Sequence, residues 1–219
     1  MACVRNVRGH SATVIRVQPV RSGSKGMPRQ EREQWILTAA ADEFGESTFV
    51  ASSMNGIAAR AGVSKALVLA YFGSKEDLYV ACVERAGERL AAAIGGALSG
   101  SSAGKEVAES VLTAIFATLE DRRSDWPVLY DRTVPRGRAR DAARRQRTVL
   151  REQAAAAVTE ALGALGLSDE DDLSAATLVW ENMVSALVQW WWHHPERSAD
   201  EMAARARRVL SALSDRPVG

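Results

Sequence analysis

The 219-residue sequence is poor in the residues that most chemistry needs. Its two cysteines, Cys3 and Cys82, lie far apart and match no metal-ligand spacing, so neither a disulfide framework nor a thiolate-bound metal is indicated. Of its three histidines, His193 and His194 stand side by side at a helix end with no third ligand near them. Glycine-rich phosphate loops, Ser–His or Cys–His pairings and carboxylate pairs in an apolar setting are missing as well. No catalytic residue, cofactor or metal site is therefore expected, and an enzyme is disfavoured. The longest apolar run, around 178–192, is broken by Glu181, Asn182 and Gln189 and falls short of the ~18 uninterrupted residues of a membrane span. Alternating runs long enough for a strand are also missing. The expectation is a soluble, cytoplasmic, all-α protein with no membrane partner.

What is present is helix. Ala, Leu, Glu and Arg dominate from residue 29 onward. Ile36, Leu37, Ala40 and Phe44 share one face, which predicts a first helix over about 29–45. Ser53 and Ser64 are N-cap candidates for a second and a third helix, with a break at Gly62 between them. "SKED" (Ser74 to Asp77) reads as a capping box that opens a long fourth helix to about residue 98. Further helices are expected at about 105–121, 125–132, 138–165, 169–194 and 199–213, the last two with boxes Ser168…Asp171 and Ser198…Glu201. Ahead of all this, residues 1–26 carry five cations and no acid, and read as a basic, disordered extension. Three readings of it stand open: sequence upstream of a start at Met27, a basic arm that reaches DNA, or a tail without a role.

Net charge is only +1, so contact with nucleic acid would have to come from local placement. Residues 27–80 hold five basic and seven acidic side chains, whereas 122–151 hold ten arginines. A solvated helix face is the plain reading of those arginines, and an anionic ligand or partner the alternative.

Two short helices joined by a glycine turn and backed by a third make a helix-turn-helix, whose second helix fits the ~12 Å major groove of DNA. Gly62 supplies the left-handed turn residue. Ser64, Lys65, Ala66, Leu67, Leu69, Ala70 and Tyr71 then form the DNA-facing set, away from Val68 and Phe72. With so few hydrogen-bonding side chains, much of the readout is expected to be indirect.

The order "IL-x-AA-x-x-x-F", "IA-x-x-AGVS" and "YF-x-SKEDL" resembles the TetR family of transcriptional regulators across about residues 32–80. The resemblance implies a three-helix DNA-binding domain at 27–74 and a larger helical effector-binding and dimerisation domain at 75–219. It implies a homodimer on palindromic double-stranded DNA, most simply a repressor released by a small-molecule effector that tilts helix four. Lys75 resembles the family's phosphate-contacting lysine, and Ser52 and Ser53 would anchor the other strand's backbone. The sequence departs from the pattern at Thr48 and Gly56, where a glycine and an acid are usual, and at Leu69, where a tyrosine is usual. A helical protein–protein scaffold with a vestigial helix-turn-helix is the alternative.

In the larger domain, Leu173, Thr177, Trp180, Val184, Leu187 and Trp191, with Met202, Val209 and Leu210, recur at helical steps. Two such helices suit a four-helix dimer seam, or else bury against their own domain. Phe116, Trp126, Tyr130 and Met183 are the expected wall of a pocket for a neutral or anionic apolar molecule.

Overall fold

The computed structural model describes residues 26–100 and 105–214, so the expected extension lies outside the described residues except for Gly26. Among those residues the chain forms nine helices and no strand. They are α1 (Arg29–Ala51), α2 (Met54–Ala61), α3 (Lys65–Phe72), α4 (Lys75–Ser99), α5 (Lys105–Leu119), α6 (Asp125–Tyr130), α7 (Arg138–Gly163), α8 (Glu170–Trp192) and α9 (Ala199–Ser214).

The expected end of α1 at residue 45 is too early. Gly45 is not a terminator but a close-approach point: a Cβ there would stand 3.0 Å from Ser124 Cβ and 3.2 Å from Pro127 Cγ. The small residue lets α1 lie against α6. The helix breaks instead at Thr48, with φ 68° and ψ 164°. The start of α8 also differs from expectation. Asp169, not Ser168, is its cap, and one carboxylate oxygen accepts from the amides of Asp171 (3.0 Å) and Asp172 (3.1 Å). A charged acceptor serving two orphan amides is stronger than a hydroxyl serving one. The box at α9 forms in full: Glu201 N donates to Ser198 Oγ (3.2 Å) and Ser198 N to the Glu201 carboxylate (3.0 Å).

A single apolar cluster runs from Ile36 on α1 to Ala206 on α9. Ile36, Ile57, Val68, Leu78, Tyr79 and Cys82 are fully buried where α1–α3 meet α4. Burial of each such aliphatic side chain contributes about 1.5–3 kcal/mol. Cys82 is thus a small core hydrophobe, as expected, with its thiol pushed up to about 12 by burial. Helix α4 is the spine: it packs on α1, α5, α6 and α7, while α8 lies on α7 and α9 on α5. Successive α7 residues meet successive α4 residues (Ala139 with Glu76, Arg145 with Glu84, Gln153 with Ala91), so the two run parallel.

Candidate DNA-binding surface and effector cavity

The helix-turn-helix is fixed by caps at each end of its two short helices. Ser53 Oγ accepts from Gly56 N (2.9 Å), and Ser64 Oγ accepts from Leu67 N (3.1 Å). Between them Gly62 is left-handed (φ 64°, ψ 32°), and Val63 N donates back to Ala58 O at 3.0 Å. That is the glycine-terminated helix end the turn requires. Trp35 adds a tie that sequence reasoning missed: its indole Nε1 donates to Ala61 O at 2.8 Å, pinning the end of α2 to α1. Arg60 does the same from α2, bonding Glu46 through both amino nitrogens and facing Glu43 at 3.5 Å. Asp42 accepts from Ser124 Oγ (2.7 Å). Three acids of α1 are therefore engaged inside the protein.

Helix α3 keeps only Val68 buried. Ser64, Lys65, Ala66, Leu69 and Ala70 are exposed, and Leu67 is half-buried. Tyr71 is turned toward α1 rather than outward: Arg32 Nη1 donates to its hydroxyl (3.4 Å), and the Arg29 guanidinium lies 5.5 Å from its ring. The start of α1 thereby brings two arginines beside the exposed helix. Their only sequence signal was a pair of cations three residues apart in one turn. Ser52 differs from expectation more sharply. It is buried, and its hydroxyl donates to Phe49 O (3.0 Å), whereas Ser53 stays exposed. Lys75 Nζ donates to Ser52 O at 2.7 Å and sits 4.6 Å from the Phe49 ring, with its pKa lowered by burial. One ammonium donor is used internally and two remain.

A cavity of about 520 Å³ opens among α4, α5, α7 and α8, with Leu210 of α9 at its edge. Trp126, Tyr130 and Met183 line it. Phe116 does not: it is fully buried, edge-to-face against Trp191 at 5.5 Å. The wall is otherwise aliphatic, including Ile94, Val111 and Ala157. Its few polar groups are tethered. Glu181 is gripped by Arg151 at 2.8 and 3.1 Å, and Gln153 Nε2 donates to Ala91 O (2.9 Å) while its Oε1 has no protein donor. Trp126 and Tyr130 stack at 4.6 Å and also line a second groove of about 680 Å³ that reaches Phe44 and Thr48 at the end of α1. Burial pushes the Tyr130 hydroxyl up to about 12, so it stays a neutral donor. Helix α6 is thus the partition between cavity and N-terminal domain. Its first residue, Asp125, is buried and faces Arg89 (3.0 Å) and Arg85 (3.4 Å) of α4, while Arg85 also donates to Leu37 O (3.3 Å) on α1.

The expected dimer seam is largely internal. Thr177, Val184, Trp191 and Met202 are buried within the protomer, and Leu173, Trp180, Leu187 and Leu210 are half-buried. At the four buried positions α8 and α9 pack against their own domain. Leu178 (53% exposed), Val179 (69%) and Val209 (38%) are the large apolar residues these helices leave open.

Residues 36–82 match the bacterial regulatory proteins of the tetR family. The transcriptional activator FasR of Mycolicibacterium smegmatis is 30% identical over 105 residues, a match that covers 48% of this chain and 48% of FasR. The chain thus spans about half the length of that curated relative. A TetR-like regulator from Rhodococcus sp. RHA1 superposes with a TM-score of 0.67 at 26% identity, over 87% of this chain and all of that one. FadR of Bacillus subtilis, solved with stearoyl-CoA, shares the fold at a TM-score of 0.66 and 17% identity, over 83% of this chain and 97% of that one. These relatives are regulators of transcription rather than enzymes. With a capped helix-turn-helix inside the matched segment, residues 36–82 form a DNA-binding domain of the bacterial tetR regulatory-protein family, carried on a helical frame shared with TetR-like regulators.

Proposed function

We propose that the protein binds a palindromic operator as a homodimer and represses transcription until an elongated apolar effector releases it. DNA binding is assigned to residues 27–74 and effector binding and dimerisation to 75–219. The observation that carries the reading is the uncovered face of α3, held rigid by two capped turns, with α6 standing between it and an apolar cavity. Ser53, Ser64, Lys65, Ala66, Leu67, Leu69 and Ala70 meet the duplex, and Tyr71 stays behind them against Arg29 and Arg32. Two donors of Lys75 serve a phosphate, and Ser52 acts from behind by positioning that ammonium. The effector fills the cavity, displaces the Trp126–Tyr130 wall and tilts α4. A preference of a few kcal/mol for the tilted state is enough to move two recognition helices out of step with successive grooves.

An apolar lining of this volume suits a long hydrocarbon tail. A ligand amide or hydroxyl would satisfy the free Gln153 acceptor. Because stearoyl-CoA occupies FadR, it is the probe of choice. The test is fluorescence anisotropy with a duplex carrying the intergenic sequence beside the protein's own gene, against a scrambled duplex, with and without stearoyl-CoA. Preferential binding that stearoyl-CoA reverses is expected; equal affinity for both duplexes would end the regulator reading. FasR, an activator, favours a second reading in which the sign is reversed. Transcription in vitro decides: the protein lowers transcript from that promoter if it represses and raises it if it activates.

A further inference from the structure

The three-helix unit is an odd DNA binder electrostatically, because residues 27–80 are formally negative. Affinity for a duplex comes chiefly from neutralising phosphates with Lys and Arg. Pairing of Glu43 and Glu46 with Arg60 cancels charge but supplies none.

The missing cations lie next door. From the end of α6 into the first turn of α7 the chain reads "DRTVPRGRAR", Asp131 to Arg140, with four arginines and one acid. This segment is fastened to the end of α1 and the start of α4 at three points. Phe49 N donates to Asp131 Oδ2 (2.6 Å), Ala139 N donates to Glu76 Oε1 (3.2 Å), and Arg138 pairs with Asp77. Glu76 and Asp77 directly follow Lys75, so the segment ends at the foot of α4. Arg132 lines the groove that holds Thr48. Arg138 is committed to Asp77, but Arg132, Arg136 and Arg140 are exposed, and among the described residues no acid pairs with any of them. One turn further along α7, Arg144 is exposed too, and Arg147 has its pKa lowered by burial first and then by Arg144 and Arg140. Positive charge is crowded here, and among the described residues Arg138 alone of the segment's four arginines is ion-paired. Salt screens charges beyond about 8 Å at physiological ionic strength, so only cations at the foot of the bundle can act on a duplex seated on α3.

We infer that Arg132, Arg136 and Arg140 form a second, sequence-independent contact that binds the DNA phosphate backbone flanking the α3 site. The inference rests on the DNA-binding reading above. It makes the effector domain a part of the DNA-binding surface, and places that contact on the loop that follows the cavity-lining α6.

The experiment is the salt dependence of binding to the intergenic and the scrambled duplex, for wild type and for the combined Arg132→Gln, Arg136→Gln, Arg140→Gln variant. Removing one arginine–phosphate pair lowers the slope of log K against log salt by about 0.9, so a decrease of about one to three units per protomer is expected on both duplexes. The combined Arg→Lys variant keeps the charge and should retain the wild-type slope. Arg207→Gln is the control for bulk charge. Arg207 faces Glu109 near the start of α5, roughly 30 Å from the foot of α4 at 1.5 Å per residue, and its removal should leave the slope unchanged. A triple Gln variant that melts like wild type but keeps its slope overturns the inference, as does an equal effect of Arg207→Gln. Wild-type protein that binds neither duplex would instead sink the underlying DNA-binding reading.

Discussion

Thr48 is, among the described residues, the single non-glycine with positive φ. At φ 68° and ψ 164° it occupies a region that is essentially reserved for glycine, and a β-branched residue there is strained by about 1–3 kcal/mol. Thr48→Gly relieves that strain at some entropic cost, so a net gain of about 1 kcal/mol is expected in the denaturant midpoint; a lower midpoint would show that the threonine makes compensating contacts. Lys75 ties α4 to Ser52 O and is proposed to hold a phosphate, and one variant separates the two. Lys75→Ala should flatten the salt slope of DNA binding by about one unit, equally on all duplexes. It should also cost about 1 kcal/mol of stability by freeing Ser52 O. A stability loss with an unchanged slope would make Lys75 a purely internal tie. Asp77 is held below its ordinary pKa of 3.8, first by the Ser74 hydroxyl and then by Arg138. A depressed carboxyl contributes stability above its unfolded pKa and loses it as pH falls through the folded one. Asp77→Asn should therefore be less stable than wild type at neutral pH, with the gap closing in acid below that ordinary value. Denaturant titrations at stepped pH that show a constant gap would remove Asp77 from the acid limb.

At the scale of elements, the caps and the turn explain why α2 and α3 keep a fixed angle, and α6 is the element that touches both halves. Its Trp126–Tyr130 stack faces the cavity on one side and the α1 groove on the other. Its Asp125 engages α4. A change of cavity contents therefore meets α1 through one short helix, and α4 both through that helix and directly at Ile94. Filling the space tests this. Ala157→Phe places a ring in the cavity at an overpacking cost of about 1–3 kcal/mol. Stearoyl-CoA should then no longer quench the fluorescence of Trp126 and Trp180, while operator affinity survives. Quenching as strong as in wild type would move the effector elsewhere.

For the whole molecule, the outer face of α8 and α9 is the candidate for the two-fold contact that a palindrome demands. Leu178 is its most telling residue, half exposed in the middle of a 23-residue helix. Leu178→Glu should convert the dimer to monomer in sedimentation velocity and weaken operator binding in step. A variant that sediments as the wild type does would place the dimer contact on another face.

Much of the frame was legible in the residues themselves, because helix starts are local chemistry. Ser53, Ser64, Ser74 and Ser198 each cap the helix that follows within three residues, and Gly62 is a backbone requirement satisfied on the spot. What the sequence determined alone was therefore the helical order, the turn and the family motif. Only the tertiary structure decided which partner each apolar face meets. A 3.6-residue period places Trp191 and Met202 on a stripe but cannot say whether their own domain or a second copy covers it. The same limit hid Gly45's contact with α6, the inward turn of Ser52, Phe116's place behind the cavity and the docking of the arginine loop on α4. Apart from the Ser52 hydroxyl, which turns back to Phe49, these join residues far apart in the chain, and a local periodicity does not say which distant segments meet.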